Sequence, residues 1–154
     1  MMQKRYKVPV TILICDDDED DRLLTQQALE VAHISSALRF VEDGEQLLDY
    51  LYRRGAFSGE TAKAPRPGLI LLDLNMPKLD GREALKTIKE DETLCDIPVV
   101  VLSTSRLDED VARSYELGVN SFITKPLTFA GLVEAMSVLG RYWLEIVELP
   151  PAPV

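Results

Sequence analysis

Short apolar runs alternate along the chain with longer stretches in which apolar positions recur every three or four residues. Thr11–Cys15 (TILIC), Leu38–Val41, Gly68–Asp73 (GLILLD), Ile97–Ser103 (IPVVVLS) and Ser121–Thr124 (SFIT) read as strands. Between and after them, Asp20–His33, the stretch EDGEQLLDYLYRR, Arg82–Glu90, Asp108–Leu117 and Thr128–Leu144 carry helical spacing. Gly118 sits where a helix should stop and Thr128 where one should be capped. GLILLD and IPVVVLS lack the polar alternation of a half-exposed strand, which fits burial on both faces of a parallel sheet. Strand–helix repeats of this length predict an α/β fold: one doubly wound, five-stranded parallel sheet with five helices on its two faces. Right-handed crossovers leave few topologies open. One connection, Arg54–Gly68, is long and turn-rich, and reads as a disordered surface insertion with partner contact as the alternative.

Length and charge narrow the picture. The 154 residues suit a single domain with its core over about residues 10–144 and a loose Pro-rich tail at 148–154. No output domain is expected to follow. A net charge of −9 argues against nucleic-acid or anionic-membrane binding, both of which rest on an excess of Lys and Arg. No apolar run approaches the roughly 20 residues of a membrane helix, and MMQKRYK lacks the apolar stretch of a signal peptide. Cys15 and Cys95 form no disulfide framework and read as buried residues, so the cytoplasm is the expected compartment.

Candidate chemistry appears once the strand ends are compared. The first strand runs straight into six consecutive acids, Asp16 to Asp21. Two such charges about 4 Å apart repel by about 4 kcal/mol at an effective dielectric near 20, so something positive is needed there. In open α/β sheets, sites form beyond the carboxyl ends of the strands. There stand Asp16-Asp17, Asp73, Ser103-Thr104 and Thr124-Lys125-Pro126. Carboxylates with room for water suit Mg²⁺, and Lys125 is a fixed positive charge. Asp20 and Asp21 sit at a helix start, where the macrodipole favours negative charge, while Asp18 and Glu19 read as solvated. Asp73 is the candidate nucleophile for an aspartyl-phosphate, and the Ser103 hydroxyl can donate to a phosphoryl oxygen.

These residues, with LLDLNMP (including Asp73 and Pro77), Gly81, LSTS and TKP, resemble the receiver domain of bacterial two-component response regulators from Thr11 to about Leu144. The resemblance implies a flavodoxin-like topology and phosphorylation of Asp73 by a histidine kinase, with no enzymatic turnover beyond the domain's own phosphorylation and dephosphorylation. It implies a Mg²⁺ site at Asp16, Asp17, Asp73 and the Asn75 carbonyl, which Mn²⁺ or Ca²⁺ can also fill. It further implies contact of Lys125 with the phosphoryl group, a cis bond at Pro126, a Ser103–Phe122 switch pair, and lifetime tuning by Asn75 and Ser105. Ser103 stands where threonine is commoner, and Phe122 lacks a tyrosine's hydroxyl. The wording of DDDEDDRLLTQQALE and of the segment ending APRPGLILLDLNMPKLDGREALKTIK is similar, more narrowly, to stand-alone regulators paired with cyanobacterial phytochrome kinases.

Other readings are weaker. An EF-hand loop fails because Asp21 stands where glycine is needed and Gln27 where the bidentate Glu belongs. A dehalogenase-type phosphatase needs a second Asp where Asn75 stands. A binding module of the same fold that ignores phosphorylation is the remaining alternative. In the last helix, Phe129, Leu132, Val133, Met136, Leu139, Trp143 and Leu144 exceed one narrow stripe. Tyr142, Trp143, Ile146 and Val147 are interface candidates for a homodimer through the fourth helix, fifth strand and last helix.

Overall fold

Five strands build one sheet: β1 (Thr11–Cys15), β2 (Ala37–Val41), β3 (Leu69–Asp73), β4 (Val99–Ser103) and β5 (Ser121–Thr124). All neighbours are parallel, in the order β2-β1-β3-β4-β5. The structure is a computed structural model and describes residues 10–34, 37–59, 64–73, 81–103, 111, 114–116, 118–146 and 149–150. Three helices connect the strands, α1 (Glu19–Val31), α2 (Gly44–Tyr52) and α3 (Gly81–Glu90), and a last helix spans Phe129–Gly140. Of the predicted fourth helix, the described residues Val111 and Ser114–Glu116 are helical.

Strand alternation sorts the core into two sides. Leu13, Cys15, Ile70, Leu72, Val99 and Val101 pack with Leu47 of α2 and Leu85 and Ile88 of α3. Ile12, Ile14, Leu69, Leu71, Val100 and Leu102 pack with Leu29 of α1 and Met136 and Leu139 of the last helix. β1, β3 and β4 are buried along their whole length, as their unbroken apolar runs predict.

Helix starts follow local chemistry. Asp18 caps α1, accepting from the Asp20 and Asp21 amides at 2.8 and 3.2 Å, and is thus more than a solvated acid. Asp43 caps α2 and Thr128 the last helix. That helix ends sooner than its periodicity predicts, because Arg141–Ile146 continue as a π-helical turn. Trp143, expected at an interface, is only 9% exposed and belongs to the core beside Met136 and Leu139. Cys15 is buried, its thiol donating to the Asp43 carbonyl at 3.5 Å, whereas Cys95 is half-buried.

Gly118 has φ +95°, a conformation that side chains avoid, and a Cβ there would lie 3.2 Å from the Lys89 stem. Gly118→Ala should therefore cost about 1–2 kcal/mol. The check is a lower denaturant midpoint at unchanged m-value.

Candidate functional site

The strand order reverses at β1, whose neighbours β2 and β3 lie on opposite sides, so a crevice opens at the carboxyl ends of β1 and β3. Asp16 is the first residue after β1 and Asp73 the last of β3. The alternation that sends Ile12 and Ile14, and Leu69 and Leu71, to the α1 side carries Asp16 and Asp73 to that side as well. The Asp16 amide still donates to the Val41 carbonyl at 3.1 Å, which extends the ladder one residue and fixes the direction of the side chain. The two carboxylates are 3% and 5% exposed.

Lys125 follows β5 and reaches into the crevice. Its Nζ lies 3.0 Å from Asp21 Oδ2, 3.3 Å from Asp73 Oδ2 and 3.4 Å from Asp16 Oδ2. Oxygens of these three carboxylates lie within 4.8 Å of one another. One ammonium cannot balance three buried or half-buried carboxylates, and the titration of the groups reflects it. Burial pushes Asp16 up to about 6; the Asp18 amide and Lys125 oppose the rise, and Asp73 and Asp21 add to it. Burial by itself pulls the Lys125 ammonium down, but Asp73, Asp21 and Asp16 outweigh it and hold it above the ordinary lysine range. The desolvated Cys15 thiol beneath is raised by burial and by Asp43, Asp16, Asp73 and Asp17.

Not every expected residue converges. Asp17 is exposed and stands outside the cluster, because its neighbour Asp16 takes the inward direction and successive residues of an extended chain point opposite ways. Asp21, assigned from sequence to the helix macrodipole, occupies that place instead. A side chain in the first turn of a helix leans toward the N-terminus, here back over the strand end. That lean is common to the whole first turn; what sets Asp21 apart from Glu19 and Asp20 is its place one turn before Thr25 and two before Ala28, on the buried stripe of α1. The Lys125–Pro126 bond is trans, contrary to the cis bond implied by resemblance, since no peptide bond among the described residues is cis. Trans is the intrinsically preferred isomer by about 0.5–1 kcal/mol, and with it the Lys125 amide bonds Ser103 O at 2.7 Å while Nζ still meets the carboxylates.

Ser103 is buried at the end of β4, in register with Thr124. Phe122 lies opposite Val101, two residues back on the same face, half-buried against the α2–α3 side of the core. Tyr142 is 50% exposed and stacks edge-on against Trp143 at 5.3 Å. Asn75, Ser105 and Val147 lie outside the described residues, as do Pro77 and Thr104, and Ile146 is in the π-helical turn.

The donor set is all oxygen, three carboxylates around one small space, and hard divalent cations take such sets. An arrangement of one buried carboxylate nucleophile, adjacent carboxylates and a lysine is also what phosphoryl transfer requires, since positioning and charge neutralisation supply most of its catalysis.

The chain is similar to known proteins over nearly its whole length. The family model for the response regulator receiver domain matches residues 12–137. Response regulator Rcp1 from Synechocystis sp. is 42% identical over 151 residues, covering 98% of this chain and all of the relative. The crystal structure of its Mn²⁺-bound form aligns with a TM-score of 0.82 at 41% identity, over 93% of this chain and 100% of that one. Response regulator RPA3017, from red light signalling of R. palustris, aligns at TM-score 0.88 and 40% identity. The phosphorylated cyanobacterial phytochrome response regulator RcpA aligns at 0.83 and 42%. These last two each cover 94% of this chain and all of their own.

Proposed function

The chain belongs to the response regulator receiver domain family, and from that premise we propose that it is a switch that accepts a phosphoryl group on Asp73 from a phytochrome-type histidine kinase. The observation that carries the reading is the convergence of Lys125 Nζ on the Asp73, Asp16 and Asp21 carboxylates at 3.0–3.4 Å. Similarity over nearly the whole chain to proteins described as phytochrome and bacteriophytochrome response regulators supports the kinase class.

In the transfer, an Asp73 carboxylate oxygen attacks phosphorus. The bond from phosphorus to the donor imidazole nitrogen breaks, and its electron pair leaves with the imidazole, which is neutralised by a proton. Lys125 exchanges its carboxylate partners for a phosphoryl oxygen, and the Ser103 hydroxyl donates to another. Asp16, Asp21 and Asp73 would hold a divalent cation, Mg²⁺ or Mn²⁺, with Asp17 and the Asn75 carbonyl added by family resemblance. Such an ion neutralises charge on the transferring oxygens. The movement of Ser103 toward the phosphoryl group leaves room for the Phe122 ring to turn inward, which alters β5 and the last helix. The domain turns over nothing but its own phosphoryl group.

The altered face is the proposed homodimer surface. A groove of about 460 Å³ between β5 and the last helix, lined by Ile123, Ala135, Val138 and Tyr142, supports it, as does the exposure of Val138 and Tyr142. No helix among the described residues is long and apolar enough to cross a membrane, and the proposed place of work is the cytoplasm.

The test is intact mass after incubation with acetyl phosphate, with and without Mg²⁺. One hydroxylamine-sensitive phosphoryl group that requires the metal is the expected result. No addition at all would leave the phosphorylation-independent binding module as the better reading.

Apolar side chains stand exposed near the site: Leu127 (89%), two residues after Lys125, and Leu24, three after Asp21. A kinase domain approaching Asp73 would cover them. Leu127→Asp should slow transfer from the cognate kinase by about tenfold and leave acetyl phosphate labelling unchanged. Equal slowing with both donors would mean that Leu127 supports the site rather than the encounter.

A further inference from the structure

Beyond the amino-terminal end of β3, on the side away from Asp73, two arginines are anchored on backbone carbonyls with no ion pair among the described residues. The C-terminal end of α2, the segment leading into β3 and the turn after α3 line a pocket of about 250 Å³. Leu51, Ala64 and Leu94 give it apolar walls, and Arg53 and Arg66 supply its charge. Arg53 leaves α2 in a left-handed conformation, φ 54°, and its Nε donates to the Ala64 carbonyl at 3.1 Å. Arg66 donates one N–H to the Thr93 carbonyl at 2.6 Å. Neither forms an ion pair among the described residues, whereas Arg22, Arg54 and Lys125 each do. Arg39 adds to the positive field: burial raises the Tyr50 phenol beside the pocket, and Arg39 and Arg53 oppose that rise. The nearby Asp91 carboxylate is taken by the Tyr52 hydroxyl at 2.6 Å and by the Thr93 amide and hydroxyl, both at 2.7 Å.

We propose that this pocket docks an acidic segment of a partner protein, one carboxylate side chain entering between Arg53 and Arg66. Charge complementarity selects the occupant, in a chain whose net charge of −9 otherwise repels acids. Each guanidinium has five donors and spends one on a backbone carbonyl, so a fork remains for a carboxylate. That anchoring has already lowered the ordering cost of binding. The volume is below the roughly 300–1,000 Å³ of small-molecule sites and suits one or two side chains. At the flank, Arg54 stacks 5.1 Å over the part-exposed Tyr52 ring, and Tyr and Arg dominate interface energetics. The C-terminal end of α2 explains the presence of Arg53, but not that of Arg66, which comes from another segment. The pocket and Asp73 lie beyond opposite ends of β3, about 20 Å apart from Pro67 to Asp73 along the chain, so the partner and a kinase can be bound together.

The test is amide chemical-shift mapping on the full chain with the peptide acetyl-Glu-Glu-Phe-Glu-Glu-amide. Its all-Gln counterpart and sodium phosphate serve as separate probes. Shifts concentrated at Tyr50–Arg54, Ala64–Gly68 and Thr93–Leu94 are expected, weakening as salt rises from about 50 to about 300 mM. Apparent affinity should fall about fivefold or more in an Arg53→Gln/Arg66→Gln variant whose other resonances stay in place. Arg66→Lys, which keeps the charge and loses the fork, should also bind more weakly. The proposal is overturned if the Gln peptide shifts the same amides equally, if phosphate alone reproduces the pattern at the same concentration, or if the Glu peptide acts elsewhere or not at all.

Discussion

Asp73→Asn should take up no phosphoryl group from acetyl phosphate or from a kinase, while its fold stays intact. Asp73 is the last residue of β3 and 5% exposed, so no neighbouring carboxylate can slide into its position without leaving its own strand or helix. The amide is nearly the same size and still accepts from Lys125, but its oxygen carries no anionic charge to attack phosphorus. A fall of at least about a thousandfold in labelling rate is expected, equivalent to about 4 kcal/mol of barrier. Removing one of three clustered carboxylates also relieves repulsion, so thermal stability should hold or rise. Intact mass and a melting curve on the same sample check both halves. Labelling of the variant at the native rate would show that another residue is the acceptor.

Asp16→Asn should stabilise the metal-free protein at pH 7–8 and abolish its stabilisation by Mg²⁺. Burial raises the Asp16 carboxyl from an ordinary 3.8 to about 6, so the folded protein keeps its proton through a range in which the unfolded chain has released it. The corresponding stability is fully present below about pH 4 and is lost as pH rises through about 6. Above that, the ionised group costs the native state roughly 3 kcal/mol at most, and loss of the Lys125 contact in the variant returns part of the gain. A net rise of about 2 kcal/mol, or about 4–8 °C in Tm, follows for a chain of this size. Native protein with Mg²⁺ should recover stability through linkage to binding, whereas the variant should not. The measurement is the native-minus-variant difference in Tm from pH 4.5 to 8, in chelator and in Mg²⁺. A difference that does not change with pH in chelator would mean that Asp16 carries no burial penalty.

Such a site trades stability for chemistry, and the sequence already hinted at it. Acids at a strand mouth, an aspartate closing a fully apolar strand and a lysine after the last strand were legible because each strand end can be read from periodicity alone. Asp16, Asp73 and Lys125 were found that way. Asp21 was not, since in sequence it is one more acid in a helix's first turn. Trp143 was misread for a related reason. Helical spacing sets it four residues after Leu139 and seven after Met136, on the buried stripe, but its place near the chain's last turns and its size suggest an interface until packing on the sheet is seen. The trans bond before Pro126 likewise departs from the family expectation.

The sequence by itself determined the strand and helix order, the parallel sheet and the strand ends at which charge gathers, because alternation and helical periodicity are local and leave few topologies once crossovers are right-handed. Only the tertiary structure decided which acids surround Lys125. Asp21 and Lys125 are 104 residues apart, and their 3.0 Å contact depends on how α1 sits over the carboxyl ends of β1 and β3. Direction in space separates Asp21, in the cluster, from Asp17, in solvent. Both are aspartates in the same acidic run, and only packing distinguishes them.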